Sequence, residues 1–416
     1  MSSRQLDTVI IGGGPAGIGA AIRAWEKGLR TLLLENSERI GGIPLQCIHP
    51  GFGIHYLKED LTGTEFIQRL VDMLDAAGVE YWVKSHVYSV KNLGNGVKEV
   101  QVITPRGIEK LRTKTVIFAT GARERHLSET GIVGDRVDGV YTAGEAQALM
   151  DIYGVMPGKE VVIVGSGDVG MIVARRLALE GASVKAVVEL LPYPGGLMRN
   201  YVQCIRDFNI PLLTSHAVIE IRGKERVEKV VVAKVDEDMR PIKGTEFEIE
   251  CDTVILATGL IPNTSILEEM GAQIDPATRG PVVNDYLETT IPGVFAAGNV
   301  LLINDLVDYA VEQGVEAAEG AYAYVSDTIR RANIPVVKGR NIRLVVPQVI
   351  SGKKDFYLYA RVAKPERDVV FNIPEISLSM RKSVVRPSEM IRIRIPKRLL
   401  DRAGSLEKLT VQVVPA

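Results

Sequence analysis

The chain is poor in sulfur and in aromatic surface: 416 residues contain three cysteines, two tryptophans and 6% aromatic residues in all. Cys47, Cys204 and Cys251 stand far apart, and no CxxC or CxxxxC pair occurs. That excludes a vicinal dithiol couple, and any iron–sulfur or structural zinc site made from cysteines of this chain alone. The five histidines, His49, His55, His86, His126 and His216, form no HExxH or other close ligand pattern, so no metal site is expected. Long apolar runs are missing too. No stretch of about 18 apolar residues survives the scattered Arg, Glu and Asp, and the opening MSSRQLD lacks a basic region followed by an apolar core. These absences lead to the expectation of a cytoplasmic protein.

Net charge is nearly absent at −1, but the balance hides a division. From Val337 to Ala416 there are 17 Lys and Arg against 7 Asp and Glu, leaving 33 basic and 44 acidic residues in the preceding part. A basic tail beside an acidic body favours docking on an acidic surface: this chain's own body, a partner subunit, or an anionic membrane touched peripherally. Nucleic acid is not expected, because no recognition motif accompanies the charge.

Glycine, by contrast, is plentiful at 40 residues. Residues 8–35 read TVIIGGGPAGIGAAIRAWEKGLRTLLLE: a β-branched run, a glycine turn, an alanine-rich helix stopped at Gly28, a second apolar run and Glu35. Residues 161–189, VVIVGSGDVGMIVARRLALEGASVKAVVE, repeat the plan with Gly165, Gly181 and Glu189. The two openings, Gly12 and Gly165, lie 153 residues apart. Each is a βαβ unit with a GxGxxG turn. Its first glycine permits the sharp exit from the strand, its second lets backbone approach a pyrophosphate, and its third lets helix pack on sheet. Those glycines are Gly12, Gly14 and Gly17, then Gly165, Gly167 and Gly170. A pyrophosphate at such a helix start meets unpaired N–H groups and the positive end of the macrodipole. Glu35 lies 23 residues past Gly12 and Glu189 lies 24 past Gly165, the separation of a carboxylate that accepts ribose hydroxyls. A glutamate there repels a 2′-phosphate, and Leu190, Leu191 and Pro192 supply no arginine to hold one, which favours NAD(H) over NADP(H).

With GlyGly at 41–42, VIFATGA at 116–122, VILATGLIPNT at 254–264 and GVFAAGNV at 293–300, the chain resembles the pyridine nucleotide-disulfide oxidoreductase superfamily to about residue 330. The resemblance implies that the first unit binds the ADP half of FAD and the second, inserted in the FAD domain, binds NAD(P)H. It places Gly12, Gly14, Gly17, Glu35, Gly42 and Gly121 on FAD, with Gly298 and Asn299 near its ribityl-pyrophosphate region, although aspartate is the usual residue at Asn299. Pro15, Ala16, Gly41, Val87, Ala119 and Thr120, with Asp168, Val169 and Gly259 in the second half, complete the cofactor-binding set. GGIPLQCIHPGFG at 41–53, ATGARER at 119–125, GVYTAGEAQ at 139–147 and LPYPGGLMRN at 191–200 are more narrowly similar to flavoproteins associated with FAD-dependent glycerol-3-phosphate dehydrogenase, described as NADH oxidase or NADH:acceptor subunits. ATGARER with GVYTAG also resembles subunits of opine oxidase, dye-linked proline dehydrogenase and hydrogen cyanide synthase.

Hydride transfer from nicotinamide to flavin needs stacking geometry rather than a side-chain nucleophile, so no triad is expected. Cys47 and His49 follow the 41–42 turn and are the catalytic candidates, as redox thiol and proton donor; packing and loop hydrogen bonding are their plain alternatives. Cys204 and Cys251 read as core. In the segment from Asn304 to Val325, Asn304 and Asp305 read as helix caps, and the resemblance aims that helix's positive end at the flavin.

The expected fold is α/β and doubly wound: two Rossmann-like domains, the NAD domain inserted in the FAD domain, plus a small C-terminal β domain. The FAD domain takes residues 1–125 and 258–335, with short strands over 84–112. The crossover and NAD domain take 126–257, and the tail takes 336–416. Ile391, Ile393 and Ile395 alternate there with Arg392 and Arg394, predicting a strand with a basic outer face. The expected activity is hydride transfer between NADH and flavin, in an NADH:acceptor oxidoreductase working with a partner subunit or as a homo-oligomer through the tail. The alternative is an electron-relay subunit of an amine, opine, proline or glycerol-3-phosphate dehydrogenase.

Overall fold

The computed structural model describes residues 5–331 and 333–416; residues 1–4, part of the opening segment weighed above, lie outside the described residues. Two units emerge, one running through Ala122 and resuming at Pro262–Ala416, the other Arg123–Ile261.

In the first unit the β-branched run 5–11 becomes a buried strand, Gln5–Ile11, flanked by Thr31–Leu34 and by the long strand Gly107–Phe118, both parallel to it. Val97–Thr104 pairs antiparallel with the first half of that long strand, and Val294–Ala296 pairs parallel with its end, residues 116–118. The strands expected within 84–112 are therefore a meander, His86–Gly94, Val97–Thr104 and Gly107–Phe118, turned at Gly94–Gly96 and Pro105–Arg106.

Helix Pro15–Glu26 packs against helix Val307–Val325 through small residues. A Cβ added at Gly314 would lie 2.0 Å from the Ala16 carbonyl oxygen, and one at Gly19 would lie 2.8 Å from that of Val311. The backbones approach this closely because neither glycine carries a side chain. Helix Gly63–Ala77 opens on a Thr62/Glu65 capping box and stops at Gly78 in the left-handed region.

The second unit repeats the open α/β plan. Its parallel sheet runs in the order Val140–Thr142, Thr253–Leu256, Glu160–Val164, Ser183–Glu189, Leu212–Thr214. A second sheet of four strands holds His216–Gly223, Val227–Lys234 and Phe247–Glu250, with Val133–Gly134 at its edge.

The C-terminal segment is β-rich, as expected, with sheets of five and three strands around a core that includes Val369, Phe371, Ile373, Ile395 and Val411. Its basic face is not all solvent. Arg392 pairs with Glu312 on helix Val307–Val325, and its guanidinium lies 3.7 Å from the Tyr357 ring centroid and 5.0 Å from that of Tyr309. Arg361 pairs with Asp305, both side chains about nine-tenths buried. Ser351 donates to Asp285, and Leu344, Val346 and Tyr359 join the core built around strand Gln5–Ile11. Of the acidic surfaces anticipated for the tail, the chain's own body is thus engaged. Among the described residues, no helix is long and apolar enough to cross a membrane.

Candidate functional site

Both glycine turns fold alike, and the three glycines of each separate into two steric kinds. Gly12 has φ +105°, and a Cβ there would sit 2.4 Å from the Ala119 oxygen; at Gly17 it would sit 1.8 Å from the Gly12 oxygen. At Gly14 it would meet nothing within 4 Å. In the second turn Gly165, at φ +99°, and Gly170 are crowded by the Ala257 and Gly165 oxygens at 2.3 and 2.5 Å, and Gly167 again faces open space. The first and third glycines are thus packing requirements, while the second borders room for a ligand. Gly14 and Gly167 are also the residues preceding helices Pro15–Glu26 and Asp168–Leu179, and among the described residues no side chain caps either start. Open amide groups beside empty space suit an anion, so the residues present fit the pyrophosphate of FAD in one unit and of a pyridine nucleotide in the other.

The carboxylates close each turn. Glu35 Oε2 accepts the Gly13 N–H at 2.7 Å, and Oε1 accepts the Ser37 N–H and hydroxyl at 2.7 and 2.6 Å. Glu189 Oε2 accepts the Ser166 N–H and hydroxyl at 2.8 and 2.6 Å, and Oε1 accepts the Leu191 N–H at 2.9 Å. A carboxylate has about four acceptor positions, so one remains on each for a ribose hydroxyl. Ser37 and Ser166 went unnoticed in the sequence, although a serine two residues past an acid, or inside a glycine turn, is a local hydrogen-bonding signal.

Gly41, Gly42, Gly298, Ala119 and Thr120 lie against the Gly12–Gly17 segment. The Gly41 N–H donates to the Gly13 oxygen at 2.8 Å, and a Cβ on Gly42 would stand 3.1 Å from Gly14 Cα. Gly298 lies against Ala16, and its N–H donates to Gln313 at 3.0 Å. Asn299 Oδ1 accepts the Asn304 N–H at 3.1 Å. Thr120 and Asn263 exchange hydrogen bonds of 3.0 and 2.8 Å, and Gly121, at φ +65°, faces open space. Val87 is buried two residues past Ser85, whose N–H donates to the Glu35 oxygen. In the second unit Val169 is exposed beside the turn, and Gly259, at φ +98°, accepts the Arg125 N–H. Asp168 Oδ1 accepts the Leu197 N–H at 2.8 Å and the Asn200 amide at 2.6 Å.

Cys47 is buried, its sulfur 3.5 Å from the Ile43 oxygen and its Cβ where a side chain on Gly63 would collide. His49 Nδ1 lies 3.0 Å from the Pro50 oxygen, and its ring lies 5.2 Å from that of Phe52. Cys204 and Cys251 lie in two separate hydrophobic cores, in keeping with their surroundings in the sequence. Burial pushes the Cys204 thiol up and the Cys251 thiol up to about 12, so both are poor nucleophiles. Arg123, whose place in ATGARER suits either a phosphate contact or an ion pair, pairs with Glu129.

The expected caps Asn304 and Asp305 require correction. The helix starts later, at Val307, with Leu306 before it and no side-chain cap among the described residues. Asn304 is taken by Asn299 and by Gln313 on the helix itself, and Asp305 by Arg361 and the Met390 N–H, because the tail offers the aspartate a charged partner. Asp308, in the first turn, is buried and accepts the His55 and Tyr56 N–H groups at 3.0 and 2.7 Å.

A sequence profile described as pyridine nucleotide-disulphide oxidoreductase matches residues 6–314. Mitochondrial dihydrolipoyl dehydrogenase of Caenorhabditis elegans is 26% identical over 354 residues, 77% of this chain and 68% of that protein. The F component of alkyl hydroperoxide reductase from Pseudomonas aeruginosa is 27% identical over 341 residues, 77% of this chain, which spans only 58% of that protein's length. Among solved structures, thioredoxin reductase of T. acidophilum is 28% identical with TM-score 0.65, covering 77% of this chain and 98% of its own.

Proposed function

The chain belongs to the pyridine nucleotide-disulphide oxidoreductase family, and from that premise we propose that it is an FAD-dependent NADH:acceptor oxidoreductase whose electrons leave by a route other than a cysteine pair of its own. Family membership implies FAD and a pyridine nucleotide. The observation that carries the reading is the duplicated cradle: two glycine turns, each open at its second glycine and each closed by one carboxylate.

FAD, when bound, supplies the two-electron redox centre. The chain supplies binding and orientation: the amides at Gly14 for one pyrophosphate, those at Gly167 for the other, and Glu35 and Glu189 for the riboses. Leu190 and Leu191 beside Glu189 support NADH over NADPH. Passing electrons to a disulfide within the chain needs two sulfurs in bonding reach, whereas Cys47, Cys204 and Cys251 are not joined to one another. The acceptor is therefore a small molecule or a partner protein meeting the flavin. Within the family, the likeness of 41–53 and 191–200 to NADH:acceptor subunits supports a heteromeric complex.

The test is anaerobic addition of NADH, and separately NADPH, to purified holoprotein while the flavin band is followed. Rapid bleaching by NADH is expected, and material without a yellow chromophore would sink the reading. Bleaching only after a partner subunit and an amine, opine, proline or glycerol 3-phosphate are supplied would make the chain an electron-relay subunit instead.

A further inference from the structure

The C-terminal segment carries a cleft of about 160 Å³, none of whose lining residues belongs to either glycine turn. Strand Leu378–Val385, an edge of the five-stranded sheet, contributes Lys382 and Val384, which stand two apart and so share a face. Strand Ile391–Ile395, an edge of the three-stranded sheet, contributes Ile391 and Arg392, and Tyr309 enters from the first turn of helix Val307–Val325. The connection between the two strands adds Arg386, Glu389 and Met390. The body holds these parts in place: the Met390 N–H donates to Asp305 at 2.6 Å, and Arg392 pairs with Glu312.

Charge in the cleft is unbalanced. Lys382, Arg386 and Arg392 supply three cations against one lining carboxylate, Glu389, which is committed to Arg386 at 2.9 Å. Lys382 is half-buried, and among the described residues its ammonium makes no ion pair or hydrogen bond. The Tyr309 hydroxyl is likewise without a partner among them. A cation in a partly desolvated cleft attracts an anion more strongly than one in open water, and the two paired arginines beside it add to the positive potential. Val384, Val385, Met390 and Ile391 make the rest of the lining apolar. A water molecule's share of the liquid is about 30 Å³, so the cleft has room for about five, or for an oxyanion carrying a short carbon chain.

We propose that this cleft binds a small organic oxyanion, with Lys382 and the Tyr309 hydroxyl holding its carboxylate or phosphate group and the apolar lining holding its short carbon chain. Arg386 and Arg392, each already paired, contribute field rather than direct contacts. The site is independent of the dinucleotide cradles, so it stands or falls apart from the proposed redox activity.

The test is calorimetric titration of the purified holoprotein with butyrate and, separately, with inorganic phosphate, using neutral butyramide as the control and following the melting temperature. The anion is expected to bind, to raise the melting temperature and to bind more weakly as salt is added, while butyramide gives no heat of binding. Tighter binding of butyrate supports the site and assigns it to carboxylates; tighter binding of phosphate supports it and assigns it to phosphate groups. Lys382→Gln is expected to weaken the anion roughly tenfold or more, the scale of one charge-assisted hydrogen bond, and Lys382→Arg to keep it. Absence of binding of both anions to the wild type, or wild-type affinity in Lys382→Gln, overturns the proposal. Loss of binding in Gly167→Asp with none in Lys382→Gln overturns it too, by placing the anion at the glycine turn. Should Lys382→Gln melt early, Val384→Glu decides: a carboxylate in the cleft must repel the anion, and unchanged affinity there overturns the site.

Discussion

At the scale of single residues, a missing side chain serves two purposes that one substitution each can separate. Gly165 is glycine because its φ is positive and a carbonyl stands where Cβ would go; Gly167 meets no such obstacle, and its open surroundings are the space proposed for the ligand. Gly165→Ala should therefore cost about 1–3 kcal/mol in chemical denaturation. Gly167→Asp should leave stability unchanged or raised, since aspartate is a good residue before a helix. The same variant should weaken NADH at least about tenfold, through like charge at the pyrophosphate. A parallel fall of stability and affinity in Gly167→Asp would contradict this division of roles. The spacing of these glycines was readable in the sequence because their demands are local. The Ser166 contact was not, since it depends on where the chain returns with Glu189; the Ser37 contact with Glu35, two residues away, was within local reach and went unread.

At the scale of elements, the start of helix Val307–Val325 shows local preference losing to tertiary partners. Asn304 and Asp305 are good caps by residue type, but Arg361 and the Met390 N–H from the C-terminal segment claim Asp305. The Arg361–Asp305 pair is buried, so removing one partner strands a charge. Arg361→Met should destabilise by about 3–5 kcal/mol. Adding Asp305→Asn to it should recover a large part of that loss, and a double-mutant cycle in denaturant measures the coupling. Strictly additive losses would mean that the pair is not coupled.

On the scale of the whole molecule, the division of charge between tail and body is partly resolved inside the chain, by Arg361 with Asp305 and Arg392 with Glu312. A buried lysine adds a pH signature. Lys98 donates to the Lys114 oxygen and lies 5.0 Å from the Tyr324 ring centroid, and burial pulls its pKa down from 10.5 to about 8. Between about pH 8 and 10.5 the unfolded chain holds a proton that the folded one has released, so this group's contribution makes stability rise with pH across that window. Comparing wild type with Lys98→Met, the difference in unfolding free energy should change over this range and be flat from pH 6 to 7. A difference that stays flat up to pH 10.5 would assign Lys98 an ordinary pKa.

The order of residues alone determined the two βαβ units, their glycines and terminal acids, and the β character of the tail, because strand, turn and helix signals act over a few neighbours. Three-dimensional packing decided which hydrogen-bond donors the acids Glu35, Glu189 and Asp168 accept, where helix Val307–Val325 begins, and what the tail's arginines touch. Most of those outcomes are competitions for hydrogen-bonding and charged partners brought together from distant parts of the chain, and the winner is set by burial and distance, which only the folded molecule defines.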